Sequence, residues 1–305
     1  SGRRGGSTSR WQPVSTDEPQ RALFELIEAP ALRDPVLVLA LEGWIDAAGA
    51  ARAARQLLVE VGAGRRLARF DTDRLLDHRA RRPTLRLVDG VASGLVWPSL
   101  ELSLLEGIGG AELLLLHGPE PDHEWKAFAA AVGSLGRRLG ISMVVGLGAY
   151  PAAVPHTRPT RLSCTAGSSE MATRLEVVTA SAEVPAGAQA VVEAETAAGG
   201  VPTIGLWAQV PHYLSAGPYP PATLALLAGV TELTSAVFDT GPLPGQALAA
   251  RSRIDELVGR NPEHVAMIEK LESAYDDLHD PGAQLPSGED LAAELEAFLR
   301  TQDGA

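Results

Sequence analysis

Apolar residues gather here in short, nearly unbroken runs. ALFELIE (22–28), VLVLALEG (36–43), LELSLLEG (100–107), AELLLLHG (111–118) and MVVGLG (143–148) are each of strand length, most of them closed by glycine. Runs of this kind predict strands buried on both faces. Helix-length segments lie between them: 46–61 (DAAGAARAARQLLVEV), 123–139, and 220–238 after VPTIGLW. Such alternation predicts an α/β fold with a mostly parallel central sheet and helices on both sides. Residues 64–105 hold several strand-like runs and little helix, which suggests an antiparallel extension.

From 246 to 301 the strand signal disappears and three helices are expected. Ala250, Ile254, Leu257 and Val258 share one face of the first. Asn261-Pro262 caps the second, with the stripe Val265, Ile268, Leu271, Tyr275 and Leu278. The third opens at Ser287 with Asp290 three residues on, and carries Leu291, Leu295, Phe298 and Leu299. Each has an apolar and an acidic face. The first nineteen residues, rich in Gly, Ser, Arg and Pro, lack periodicity and read as a mobile tail. The expected organisation is a tail (1–19), an α/β core domain (20–245) and an acidic helical extension (246–305), with no internal repeat.

Composition narrows the function classes. With 305 residues, 45% of them hydrophobic, the chain has enough apolar material for a core and is no disordered polymer. No apolar run approaches the roughly 18 residues of a membrane helix, and SGRRGGSTSR does not read as a secretory signal. The single cysteine, Cys164, excludes an internal disulfide and suits reducing cytoplasm. A net charge of -12 argues against a general nucleic-acid or anionic-membrane surface. Residues 251–305 hold 13 acidic and five basic groups, -8 of that total.

Ligand sites of open parallel sheets form beyond the carboxyl ends of the strands. The segments that follow the predicted strands are Gly43–Gly49, Gly118–Trp125, Gly148–Pro159 and Trp207–Pro221. They hold three of the five tryptophans, three of the seven histidines and three of the four tyrosines. If the strands are parallel, these loops meet at one edge. Two readings stand: bulky residues that plug the edge or make a subunit contact, and a ligand- or protein-recognition cleft. The 43–49 loop lacks P-loop and dinucleotide signatures, and its amides suit either an anion or a plain cap by Asp46. Glu120, Asp122, His123 and Glu124 crowd a helix start, where carboxylates offset the dipole, and lack metal-ligand spacing. His156 and Arg158 fit either an anionic ligand or a structural bridge. Ser168 and Ser169 make no nucleophile elbow. Cys164, in RLSCTA, reads as a buried inert thiol rather than a nucleophile.

GWIDAAGAA, GPEPDHEW, GLGAYPAAVPHTRP and VPTIGLWAQVPHYLS…PYPPATLALL together resemble the proteasome-assembly-chaperone-two family, in its actinobacterial branch, over about residues 20–245. The resemblance implies a three-layer α/β/α sandwich like the purine nucleoside phosphorylases. It further implies a non-catalytic interaction or assembly role and self-association as a homo-oligomer, a trimer being favoured. Proteasome components are the implied partners. Members that dock on the proteasome tend to end in a hydrophobic-Tyr-any motif. This chain ends Gln302-Asp303-Gly304-Ala305, which counts against direct docking. The motif positions carry over Gly43, Trp44, Asp46, Glu120, Trp125, Tyr150, His156, Arg158, Trp207 and His212 as a recognition edge, with no catalytic residue, metal or cofactor assigned. The alternative is an enzyme acting on a nucleoside-like or phosphorylated ligand at the same edge, with His156 or His212 as acid–base group.

Overall fold

The computed structural model describes residues 22–278 apart from 63, 107 and 173–182, so the expected tail 1–19 and the third helix from Ser287 lie outside the described residues. In chain order the elements are β1 (Phe24–Leu26), β2 (Val36–Glu42), α1 (Ala50–Gly62), β3 (Arg65–Phe70), α2 (Thr72–Leu75), β4 (Thr84–Val88), β5 (Val91–Val96), β6 (Glu101–Leu105), β7 (Leu113–Pro119) and α3 (Trp125–Leu139). There follow β8 (Met143–Ala152), β9 (Leu162–Ala166), α4 (Ser169–Ala172), α5 (Ala188–Ala198), β10 (Thr203–Pro211), α6 (Pro220–Thr234), α7 (Leu243–Gly259) and α8 (Pro262–Leu278).

Eight strands form one sheet in the order β1-β3-β6-β7-β2-β8-β10-β9. Its centre, β7-β2-β8-β10, is parallel. Both flanks are antiparallel, so the sheet is mixed rather than mostly parallel. The reason is local. β7 and β8 are joined through α3 and run parallel, whereas β6 leads into β7, and β8 into β9, with no helix between, so β6 and β9 run against the central strands. The extension expected over 64–105 divides: β3 and β6 join the sheet, while β4 and β5 form a separate two-stranded ribbon.

β2 shows why its run is continuous. Leu37, Leu39 and Leu41 pack into a core with Phe128 and Val132 of α3 and Val192 of α5. Val36, Val38 and Ala40 pack on the opposite face with Ala54 and Leu58 of α1 and Leu226 and Val230 of α6. Both faces of a period-two element are buried from Val36 to Leu41, so every one of those positions is apolar, and exposure returns with Glu42.

The two described C-terminal helices rest on the same body. Leu243 is buried and Ile254 packs against the α1/α6 core, but Leu257, expected on that face, is 53% exposed at the margin of the stripe. In α8, Ile268 and Tyr275 are buried while Leu278 lies 42% exposed. The Asn261 side chain accepts from the Glu263 amide at 2.9 Å, the cap read from the sequence. Among the described residues no helix is long and apolar enough to cross a membrane.

Candidate functional site

Because β2, β7, β8 and β10 run parallel, their carboxyl ends lie along one edge, and hydrogen bonds knit the loops that leave it. The Glu120 amide donates to the Glu42 carbonyl at 3.2 Å and the Ala48 amide to the Ser215 carbonyl at 2.8 Å. Asp46 bridges to Ala149 of β8, and the His156 amide donates to the Tyr213 hydroxyl at 2.9 Å. All four loops meet, but the side chains they carry have different tasks.

At one end stands an exposed aromatic over a buried acid. Gly43 leads out of β2 to Trp44, which is 59% exposed. Beneath lies Glu120, buried at 9% exposure, whose carboxylate accepts from the Ala188 amide at 2.5 Å. Glu120 therefore caps α5, an element 68 positions away, and not the helix that follows it. A Cβ on Gly187 would stand 2.7 Å from the Glu120 carboxylate and 3.6 Å from the Trp44 ring, so the approach requires glycine there.

Asp46 accepts from the amides of Ala51 at 2.8 Å and Arg52 at 3.0 Å. These are the free amides of α1 that an anion would need, and the chain's own carboxylate occupies them. Burial raises the Asp46 pKa, opposed by the two amides. Asp122 and Glu124, read as dipole-offsetting residues of α3, are instead engaged by arginines: Asp122 pairs with Arg81 and accepts from the Asp77 amide, and Glu124 pairs with Arg74. Both stand at the start of α3 as expected, but the Glu124 side chain makes no cap bond there, because the arginine-rich segment 74–82 packs beside that loop. Trp125 Nε1 donates to the Pro121 carbonyl at 2.5 Å, closing the turn.

The loop after β8 is a clasp for α7 and α8. His156 is 3% exposed, with Nδ1 2.8 Å from the Tyr213 hydroxyl and Nε2 3.0 Å from the Asp255 carboxylate. A carboxylate must accept from Nε2–H, so Nδ1 accepts from the tyrosine and both ring nitrogens are taken. Burial lowers its pKa, with Asp255 opposing. Arg158 forks onto Asp276 (2.8 and 2.5 Å) and reaches Glu272 at 3.1 Å. Thr157 also bonds Glu272, Arg251 donates to the Thr157 carbonyl at 2.8 Å, and Tyr275 donates to the Pro159 carbonyl at 3.1 Å. His156 and Arg158 thus take the structural alternative, bridging to side chains of the C-terminal helices. His212 sits half-buried in a short turn, its ring edge-on to Tyr213 with centroids 5.3 Å apart.

Tyr150 and Trp207 are not in edge loops. β8 and β10 pair over nine positions, from Thr203↔Val144 to Pro211↔Ala152, so both residues lie inside strands. The Trp207 ring lies on Gly148, where a Cβ would collide with it, and Nε1 donates to Thr165 Oγ1 at 3.2 Å. The Tyr150 hydroxyl is 2.8 Å from Ser163 Oγ, which also accepts from Gln209 at 2.9 Å. This aromatic and polar face continues to Glu193 of α5, which lies against Gly146 and accepts from Gln189 at 3.0 Å. Burial pushes Glu193 up to about 7. Glu193 and Gly187 escaped the sequence reading, because AQAVVEAETAA is apolar or alanine on nearly every side and has no contrast to read. Cys164 is half-buried in edge strand β9 against the core, and Ser168 Oγ accepts from the Met171 amide. Among the described residues no group of three or more His, Cys, Asp or Glu could hold a metal.

Known proteins match this architecture. The chain is 35% identical to the Mycobacterium tuberculosis protein of unknown function Rv2714, with a TM-score of 0.77 over 87% of this chain and 94% of that one. It is 33% identical to Rv2125, a proteasome-assembly chaperone homologue of the same organism (TM-score 0.69, 76% and 99% covered). A PAC2 family protein from Streptomyces avermitilis shares 34% identity (TM-score 0.70, 77% and 100% covered). No curated protein gives a match. The PAC2 family model matches residues 40–258, from the end of β2 through the knitted edge to the clasped α7, and the chain belongs to the PAC2 family.

Proposed function

We propose that this protein is a non-enzymatic interaction or assembly factor that acts as a chaperone toward proteasome components in the cytoplasm, as a homo-oligomer with a trimer favoured. Its core, residues 20–245, is read as a variant of the purine nucleoside phosphorylase sandwich, and 246–305 as an acidic extension, of which the described helices α7 and α8 are fastened to the core. The observation that carries the reading is Trp44, 59% exposed at an edge where Asp46, Glu120, His156 and Arg158 are engaged within the chain. A large aromatic on a preorganised support is the kind of anchor that protein partners use. Gly43 leads to it and Glu120 lies beside it at Gly187, Asp46 and Trp125 close the two loops at that end, Tyr150 and Trp207 lie within β8 and β10, His212 stands edge-on to Tyr213, and His156 and Arg158 fix the flanking helices. Similarity to a proteasome-assembly chaperone homologue supports the choice of partner.

The test is assembly of purified proteasome subunits from the same cell, followed on native gels with wild-type protein, with Trp44→Ala, and without either. A complex of the chain with an assembly intermediate is expected, weakened roughly tenfold or more by Trp44→Ala at unchanged melting temperature. No complex, or one indifferent to Trp44, would overturn the reading.

A further inference from the structure

β4 and β5 form a ribbon that the rest of the described chain leaves uncovered. Each pairs only with the other, and all five residues of one and all six of the other are exposed. Asp89-Gly90, with φ of 48° and 79°, closes it through the two-residue turn that matches strand twist. Leu85 stands opposite Leu95 and Leu87 opposite Ala92, which places four apolar side chains and no ionisable one on a single face. Val88 pairs with Val91 and Thr84 with Val96 on the reverse face. Leu85, Leu87, Val88, Val91, Leu95 and Val96 are each between 51% and 68% exposed.

A two-stranded ribbon is marginal in water, and an exposed apolar one with two free edges invites pairing. Its charge points to the occupant. Residues 79–97 carry four arginines and one aspartate in a chain of net charge -12; Arg81 is held by Asp122 and the ribbon itself adds Arg86 and Asp89, so the positive charge lies with the exposed Arg79 and Arg82 at its base. Two acidic copies repel over most of their surface, and this finger is where one copy offers positive charge and apolar area to the acidic remainder of another. The leucines of one face and the valines of the reverse, each about half exposed, together present on the order of 500 Å² when the neighbour encloses both faces of the ribbon; with an equal area on the partner this reaches about 1,000 Å², the lower bound of a specific interface.

We infer that the β4–β5 ribbon is the element through which the protein binds a second copy of itself. The inference rests on the self-association proposed above and names its surface. A ribbon that reaches a different patch on its neighbour makes a head-to-tail contact, the kind that closes into a ring.

Sedimentation velocity and light scattering of the full chain are compared with the Leu85→Ser/Leu87→Ser double variant at the same micromolar concentration. An oligomeric wild type and a monomeric variant of unchanged melting temperature are expected, with self-affinity weakened roughly tenfold or more. An equally oligomeric variant overturns the ribbon assignment and leaves self-association standing. A monomeric wild type overturns both. If the variant does not fold, hydrogen exchange of the wild type decides. Amides of 84–96 must gain protection as concentration rises, and exchange indifferent to concentration refutes the assignment.

Discussion

Burial against Gly146 pushes the Glu193 carboxyl up from 4.5 to about 7, so the folded chain holds a proton there that the unfolded chain releases. The contribution is intact below the unfolded value and is lost as pH rises from about 4.5 through about 7. Glu193→Gln keeps an oxygen to accept from Gln189 and cannot ionise. It should flatten that decline and stabilise the protein by on the order of 2 kcal/mol at about pH 8, read from urea midpoints. His156 has the opposite sign. Burial lowers its pKa, so stability present above about 6.5 is lost on acidification below it. The added proton goes to Nδ1, which can then no longer accept from the Tyr213 hydroxyl, so amide protection of the His212–Leu214 turn, relative to intrinsic exchange rates, should fall in that window. Arg158→Ala should lower stability only slightly, since the guanidinium and its carboxylate partners are partly solvated. Its signature is faster exchange in Pro262–Leu278; unchanged exchange would remove the clasp as an explanation.

The Asn261-Pro262 start of α8 and the Asp46 cap of α1 are short-range signals, visible in the sequence because cap and capped amide are neighbours. Asn261→Ala should cost about 1 kcal/mol and fray the first turn of α8, measurable by denaturation and amide exchange. α5 was not legible, because its cap arrives from Glu120 across the fold and its alanine-rich turns show no stripe. The ribbon left a clear mark in Val88-Asp89-Gly90-Val91, a hairpin signal inside a segment read only as strand-rich. Trp207 and Tyr150 were misplaced for a related reason. An apolar run shows where a strand begins, but its end depends on the neighbours that continue to pair with it, here β8, β9 and β10 together.

Across the whole molecule, the clasp makes α7 and α8 part of the body. Removing residues from 243 onward takes away Leu243 and Ile254 from the α1/α6 core and the partners of His156 and Arg158. Such a truncation should aggregate or lose solubility, seen as increased light scattering; a soluble, unchanged oligomer would show the helices to be an appendage. The alternation of apolar runs with helix-length segments was enough to establish the α/β class, the central strands and helices α1, α3 and α6, because burial on two faces writes itself into consecutive residues. Which flanks run antiparallel, that Glu120 caps α5, that His156 and Arg158 fasten helices about a hundred positions away, and that β4 and β5 stand apart from the sheet were set by the assembled fold. Those contacts join distant segments, and no local period records the distance they close.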